Sequence, residues 1–356
     1  MRLLSQTWES RRQDERTANN ADQAEFAAVQ RGSCNLEAGT FDERVAGVLD
    51  DYEVEDPLIQ SPRGQWNWAR DDMALDNAAS DIGVEVRRRQ QVLGALYPFG
   101  TKGNRLVYKP SWTLVYEFCL AVSQAPSLSE GPLARLPVAF ERLARDVLVI
   151  FLGPGAQGIR TGWPADEHEP RPPRFKEVIS GLNKMTGEWI WSPDLGMPDD
   201  PDHKIVKDEG LDVVVWKEVH DDRPGRVFLL GQCACGNDYA TKFDDIDEGL
   251  KRLSKWIRPL SCVTPVRVFT TPRHIPNDLD FADVNKRAGF ALDRTRITLL
   301  AESEAGREYV PKQAKVPYAD LIASVINGFQ AAPQGRGRRP RRAGAARRSR
   351  SRGTGA

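Results

Sequence analysis

The sequence predicts an α/β fold in which helices flank a mixed central sheet, with a mostly helical N-terminal domain ahead of it. Three stretches carry that expectation. Leu211–Val219 and Arg226–Cys233 are apolar runs rich in Val, Leu and aromatic residues, types that suit a pleated surface. Between them His220–Gly225 (HDDRPG) is turn chemistry, with Pro fixing one φ and Gly relaxing another. Pro137–Phe151 (PVAFERLARDVLVIF) has Pro in its first turn, apolar spacing of three and four, and a Gly-Pro-Gly stop, which together specify a helix.

Taken in order, residues 1–60 form a polar segment with two short helical patterns, Ala21–Arg31 and Phe41–Asp51, and an acidic, solvated run at Asp50–Asp56. Residues 61–130 form the helical N-terminal domain. Trp66–Leu96 carries one apolar stripe at helical spacing and ends at Tyr97-Pro98-Phe99-Gly100, where Pro cannot continue the ladder. Arg87-Arg88-Arg89 on that helix suits either solvent or a phosphate backbone. Trp112–Val122 (WTLVYEFCLAV) is apolar enough to be a buried helix. Residues 131–330 hold the α/β core: after the helix at 137–151 come a short strand at Gly158–Trp163, a Pro-rich loop at Ala165–Pro173 and an amphipathic helix at Phe175–Met185. Beyond the central pair follow an amphipathic helix at Ile246–Ile257, a strand at Thr264–Thr270, a helix at Phe281–Ala288, a strand-like run at Arg296–Ala301 and a terminal helix at Tyr318–Phe329. Residues 331–356 are a Pro/Gly/Arg/Ser tail that cannot bury a core.

Charge and composition remove several classes. The formal net charge of zero conceals nine Arg and no acid within 336–352, so the remainder carries 41 basic against 50 acidic residues. An acidic body with a cationic tail attracts polyanions without sequence preference. No stretch approaches the roughly twenty apolar residues of a spanning helix, and the first residues lack an apolar secretory core. Five scattered cysteines point to a reducing cytoplasm. Cys233 and Cys235 form a CxC without a second Cys/His pair, which suits small buried residues better than zinc. Four distant His and no G-x-S-x-G, Walker loop or H-E-x-x-H argue against triad hydrolases and P-loop enzymes.

Polar residues interrupting the central strands carry the chemistry. Asp212 follows a Gly at the entry to the first strand, and Gln232 ends the second where another apolar residue is expected. A carboxylate and an amide oxygen at adjacent strand ends can hold a hard cation such as Mg²⁺; equally, Asp212 can cap a turn and Gln232 tie down a loop. Glu141, in the first turns of the helix at 137–151, reads from its spacing as an exposed acid that pairs with Arg145 at i+4. Lys251, Arg252 and Lys255 are candidate phosphate contacts on a face that is otherwise solvated.

Gly210-Leu211-Asp212 followed by Gln232-Cys233-Ala234 resembles the core of Mrr-like restriction endonucleases, of the PD-(D/E)XK nuclease superfamily. The likeness spans about residues 135–302. It includes Ala139-Phe140-Glu141-Arg142-Leu143, similar to the family's first helix, Pro265–Pro272 (PVRVFTTP), and Phe290–Leu300 (FALDRTRITLL), similar to its late hydrophobic-Asp-x-x-x-Leu segment. The resemblance implies a restriction-endonuclease-like core and metal-dependent hydrolysis of DNA in restriction or anti-phage defence, with Mg²⁺ or Mn²⁺ as cofactor. Asp212, Gln232, Glu141 and the backbone carbonyl of Cys233 would be the metal ligands. Ala234 stands where the family has its lysine, and Lys242 is the next basic residue. Possible partner subunits of a defence system and a possible homodimer follow from the family alone. The alternative is a catalytically inactive nuclease fold that senses nucleic acid or organises an assembly.

Overall fold

The structure, a computed structural model, describes residues 8–36, 68–165 and 168–331, apart from 203, 222, 237, 238, 244 and 259. The helix expected at Phe41–Asp51, the acidic run Asp50–Asp56 and the Arg-rich tail lie outside the described residues. In chain order the elements are α1 (Trp8–Arg31), β1 (Ser33–Asn35), α2 (Trp68–Leu93), β2 (Phe99–Lys102), β3 (Arg105–Tyr108), α3 (Val115–Gln124), α4 (Leu136–Leu152), β4 (Gln157–Arg160), α5 (Phe175–Thr186), β5 (Val213–Lys217), β6 (Val227–Cys233), α6 (Asp245–Leu253), β7 (Val266–Thr270), α7 (Asp278–Ala288), β8 (Phe290–Leu292), α8 (Arg294–Ala301), α9 (Glu304–Gln313) and α10 (Tyr318–Ala331). No helix among the described residues is long and apolar enough to cross a membrane.

The central sheet has the order β4-β5-β6-β7-β8. Its first two pairs are antiparallel and its last two parallel, because β5 and β6 are joined by a short turn whereas α6 and α7 carry the chain back between β6, β7 and β8. Val213, Val215, Leu229 and Val268 face α4, where Phe140, Leu143 and Val147 cover them. Val214, Trp216, Phe228 and Leu230 face the other way, onto Phe175, Ile179 and Leu182 of α5 with Trp189 and Trp256. Both faces are covered, which is why β5 reads as four consecutive apolar residues rather than an alternation. The cluster under α4 is continuous from Ala21 and Phe26 of α1 through Tyr116 and Phe118 of α3 to Val325 of α10.

Three local features depart from the sequence expectation. Residues 99–108 form a hairpin turned at Gly103 (φ +59°) that pairs with β1 into a small antiparallel sheet; strands of three and four residues with polar members leave no period to read. Arg294–Ala301 is a helix, not the strand expected over Arg296–Ala301. Its β-branched Thr295, Ile297 and Thr298 mimic a strand, but the Asp293 side chain accepts from Arg296 N–H at 3.0 Å and starts a helix there. The third is α9, which carries Pro311 inside it, against the local rule.

Arg89 faces neither solvent nor a phosphate backbone. Its side chain is fully buried and donates to Asp22 at 2.6 Å, Glu25 at 2.8 Å and Glu85 at 2.9 Å. Arg294 of α8 enters the same cluster, donating to both Asp22 oxygens at 2.8 and 2.6 Å. Tyr97 and Tyr116 hydroxyls donate to Glu25 at 2.5 and 2.8 Å. This network fastens α1 and α2 to the α/β core through charges that have no water to fall back on.

The network makes the fold acid-sensitive. Burial alone would raise Glu85's carboxyl, but His274, 2.8 Å away, and Arg89 hold it down to about 2. Asp22 is likewise held well below the usual range by Arg294 and Arg89 against its burial, and Asp293 is lowered mainly by His274 against burial. An acid whose folded-state pKa is depressed contributes stability above its unfolded pKa of about 4, and loses it as pH falls toward the folded value. Denaturant midpoints should therefore drop steeply between about pH 4.5 and pH 2, and Glu85→Gln should flatten that slope. An unchanged slope in the variant would show that Glu85 does not carry the linkage.

Candidate functional site

Asp212 lies directly before β5, and backbone bonds on both sides fix it. Its carbonyl accepts from Thr161 N–H at 2.8 Å and Gly162 N–H at 3.0 Å, and its own N–H donates to Gly231 O at 3.1 Å. Its carboxylate Oδ2 accepts from Cys233 N–H at 2.7 Å. Val213 pairs with Gly231, but Asp212 N–H also reaches Gly231 O, so the ladder is irregular at Asp212. Cys233 lies on the α4 face with Val213 and Phe140. Gln232 pairs with Phe269 of the cluster around Ala234, on the other face, so the structure does not bring the Gln232 side chain to the carboxylates of Asp212 and Glu141. Gln232 is buried; its Oε1 accepts no hydrogen bond from a described residue, while the residue is engaged otherwise by its surroundings.

Glu141 reaches the same place from α4. It is 8 % exposed, and the meeting point is Gly162, just past β4. A Cβ on Gly162 would stand 2.5 Å from Glu141 Oε2 and 3.1 Å from Asp212 Oδ1. Both carboxylates thus press against one backbone position, and only a residue without a side chain leaves them room. Asp208 borders this pair. It is held by Trp163 N–H at 2.9 Å on Oδ2 and by Gly210 N–H at 2.9 Å on Oδ1.

The electrostatics follow from this crowding. Burial first, then the charges of Asp212 and Asp208, push Glu141 up to about 8 despite Arg160. Burial and Asp208 push Asp212 up to about 7 against the Cys233 N–H, Lys242 and Arg160. Two dehydrated carboxylates with upward-shifted pKa values are a site for a cation or a proton.

Three cations border the acids. Arg160 Nε donates to Glu141 Oε2 at 2.5 Å and its Nη2 to Pro164 O at 2.8 Å. The pairing of Glu141 with Arg145 does not form; Arg145 is taken by Asp146 and Glu169. Arg171 stacks over Trp163 at 5.5 Å and donates to Lys207 O at 2.9 Å. Lys242 ends the 3₁₀ turn Tyr239–Lys242, where its charge acts on Asp212. Ala234, in the position of the resembled family's lysine, is fully buried against Phe243, Phe269 and Ile275. An ammonium there would have to be dehydrated in an apolar cluster, which burial opposes.

No family model, curated protein or solved structure matches the chain. The geometry therefore speaks alone. Among the described residues, no three or more His, Cys, Asp and Glu side chains converge as a ready-made metal cage. Cys233 and Cys235 are buried, and burial holds both thiols far above their ordinary pKa. Lys251 and Arg252, considered as phosphate contacts, pair with Glu248 at 2.5 Å and Glu209 at 3.3 Å.

Sequence reasoning reached Glu141, Asp212, Gln232 and Lys242 and missed Arg160 and Gly162. The only local signal for the latter pair was the Arg-Thr-Gly-Trp that closes the short strand. Gly162 gives a direct test. Gly162→Ala should cost about 1–3 kcal/mol, the usual range for overpacking, and should separate the two carboxylates. A variant as stable as wild type, measured by denaturant titration, would mean that the carboxylates are not held against this position.

Proposed function

We propose that this chain is a Mg²⁺- or Mn²⁺-dependent DNA endonuclease with a restriction-endonuclease-like core, acting in restriction or anti-phage defence. The observation that carries the reading is the buried pair Glu141 and Asp212, brought against Gly162 from a helix and a strand end. The element order α4, β4, β5, β6, α6, β7 agrees with the resemblance to Mrr-like nucleases. A hard divalent ion fits the donor set. Mg²⁺ is commonly bound by one or two carboxylates, its remaining positions going to water and substrate phosphate, so Asp212, Glu141 and the Cys233 carbonyl suffice without a closed cage. Gln232 would join them only by turning from the other face of the sheet. When bound, the ion supplies a polarised phosphate and a water of lowered pKa.

The chain's own residues do the rest. Asp212 is oriented by Cys233 N–H and would hold the ion at the strand end. Lys242 would orient the attacking water or offset charge building on the phosphorane. Arg160, now on Glu141, keeps the acid pair from standing uncompensated. The test is incubation of purified protein with plasmid and Mg²⁺ or Mn²⁺, alongside Asp212→Asn and Gln232→Ala. Metal-dependent nicking or linearisation lost in the variants supports the reading; cleavage that persists in both refutes the site.

A second reading, a catalytically inactive nuclease fold that senses nucleic acid, is favoured by two observations. Ala234 sits where lysine would act, and Arg160 already occupies Glu141. An inert wild type that still binds DNA would select it.

A further inference from the structure

Residues 86–116 contain no Asp or Glu and six basic residues, Arg87, Arg88, Arg89, Lys102, Arg105 and Lys109, in a body that is otherwise acidic. Arg89 is paired inside the fold, and Arg88 meets Glu85 at 3.6 Å. The last three fall on the hairpin β2–β3, and its register sets them on one face. Lys102 stands directly opposite Arg105. Lys109, whose N–H donates to Pro98 O at 2.8 Å, continues the extended ladder past β3, and alternation returns it to the side of Arg105. All three are exposed. The opposite face is buried, with Phe99 and Leu106 joining the core.

No acid of the described residues neutralises the outer face. Lys102, Arg105 and Lys109 form no ion pair among the described residues, and Arg105 Nη2 donates to a neutral acceptor on β1, Ser33 Oγ, at 2.7 Å. The carboxylates on the inner side are buried and taken: Glu25 by Arg89, Tyr97 and Tyr116, and Glu117 by Tyr108 and Ser111. A Cβ built on Gly100, which shares the outer face, would meet nothing within 4 Å, so the described chain leaves the face open there.

Like charges directly opposite each other on a sheet are destabilising, and a polyanion laid across them relieves the repulsion. From Arg105 to Lys109 the row spans about 13 Å at roughly 3.3 Å per residue, close to the roughly 12 Å width of the major groove. It can therefore reach phosphates on both sides of that groove. We infer that the outer face of this hairpin binds the phosphate backbone of double-stranded DNA through Lys102, Arg105 and Lys109. The contact is ionic and blind to sequence, since side chains that meet phosphate position a protein without reading bases. The choice of DNA as the polyanion rests on the nuclease reading, in which the hairpin holds the substrate; the cationic face itself does not.

The experiment measures binding, not cleavage, on full-length protein carrying Asp212→Asn in the absence of divalent metal. A short fluorescent DNA duplex of mixed sequence is titrated by anisotropy at a series of salt concentrations. Each phosphate contact contributes about 0.9 to the slope of log affinity against log salt, so Lys102→Gln/Arg105→Gln/Lys109→Gln should reduce that slope by about two to three. The matched control Lys184→Gln/Lys286→Gln/Lys315→Gln removes the same charge from exposed positions on α5, on α7 and ahead of α10, and should reduce it by less than about one. The Arg-rich tail is common to both and cancels, and thermal melts confirm that both variants are folded. Equal slopes in the two triple variants overturn the inference, as does the absence of binding to the duplex. Equal slopes are also the result if the chain's own acidic run at 50–56, rather than DNA, neutralises the hairpin. Tighter binding of an RNA duplex of the same sequence overturns the choice of DNA. None of these results depends on whether the wild type cuts DNA, so the hairpin can fail while the nuclease site stands, and the reverse.

Discussion

On the proposed nuclease reading, Asp212→Asn should abolish cleavage, and whatever the reading it should stabilise the metal-free protein. The loss of rate is expected on the order of 10²–10³-fold or more, the scale for removing a group aimed at developing charge. The gain in stability comes from the sign of the shift. Asp212's folded pKa, about 7, lies above its unfolded value of about 4. Below that unfolded value the acid is neutral in both states and costs nothing. Between the two, the unfolded chain releases a proton that the folded one retains, so stability falls as pH rises. Above about 7 the full cost is present.

Asn keeps the oxygen that accepts from Cys233 N–H and carries no charge. Its advantage should be absent below about pH 4 and reach about 1–3 kcal/mol above pH 7, roughly 2–4 °C in Tm per kcal/mol. Saturating Mg²⁺ should reverse the ranking, since an ion at 100 times its Kd stabilises wild type by about 2.7 kcal/mol and has lost its main ligand in the variant. Thermal melts across pH, with and without Mg²⁺, measure all three parts. A variant less stable than wild type at pH 8 would mean that the carboxylate is stabilised where it lies, and the cation site would lose its physical basis.

Arg294→Ala should be the most damaging single change away from the site. The guanidinium is fully buried and holds both oxygens of Asp22. It also donates to Pro272 O at 3.0 Å and Ser123 Oγ at 3.1 Å, and lies 5.3 Å over the Tyr116 ring. Its removal leaves Asp22 dehydrated with Arg89 as its remaining ion-pair partner among the described residues and opens a cavity beside Tyr116. Breaking a buried pair from one side costs about 3–5 kcal/mol, against less than about 0.5 kcal/mol for an exposed arginine such as Arg223. Because the pair joins α1 to α8, protection from hydrogen exchange should fall first in α1 and α2. The double variant Arg294→Met/Asp22→Leu should recover much of the loss, because it removes both charges together. A loss in Arg294→Ala no larger than in Arg223→Ala would show that the network is ornamental to stability. Failure of the double variant to recover anything would place the cost in packing, not charge.

The central strands were legible because burial on both faces writes an unbroken apolar run, and α4 because its period, Pro start and Gly stop agree. Asp212, Gln232 and Glu141 stood out for a related reason: each is a polar residue where the local pattern asks for an apolar or unremarkable one. The chain alone thus determined the α/β class, the principal helices and the identity of the candidate acids. Tertiary structure decided which charges meet. Glu141 chose Arg160, nineteen residues away in sequence, over the i+4 Arg145, and Arg89 turned inward to Asp22, 67 residues away. Such pairings answer to burial and to the positions of distant elements, which no local period encodes. Gly162 is the clearest case: its sequence reads as part of a short strand, and only the approach of two carboxylates, from α4 and from the entry to β5, makes a bare backbone necessary there.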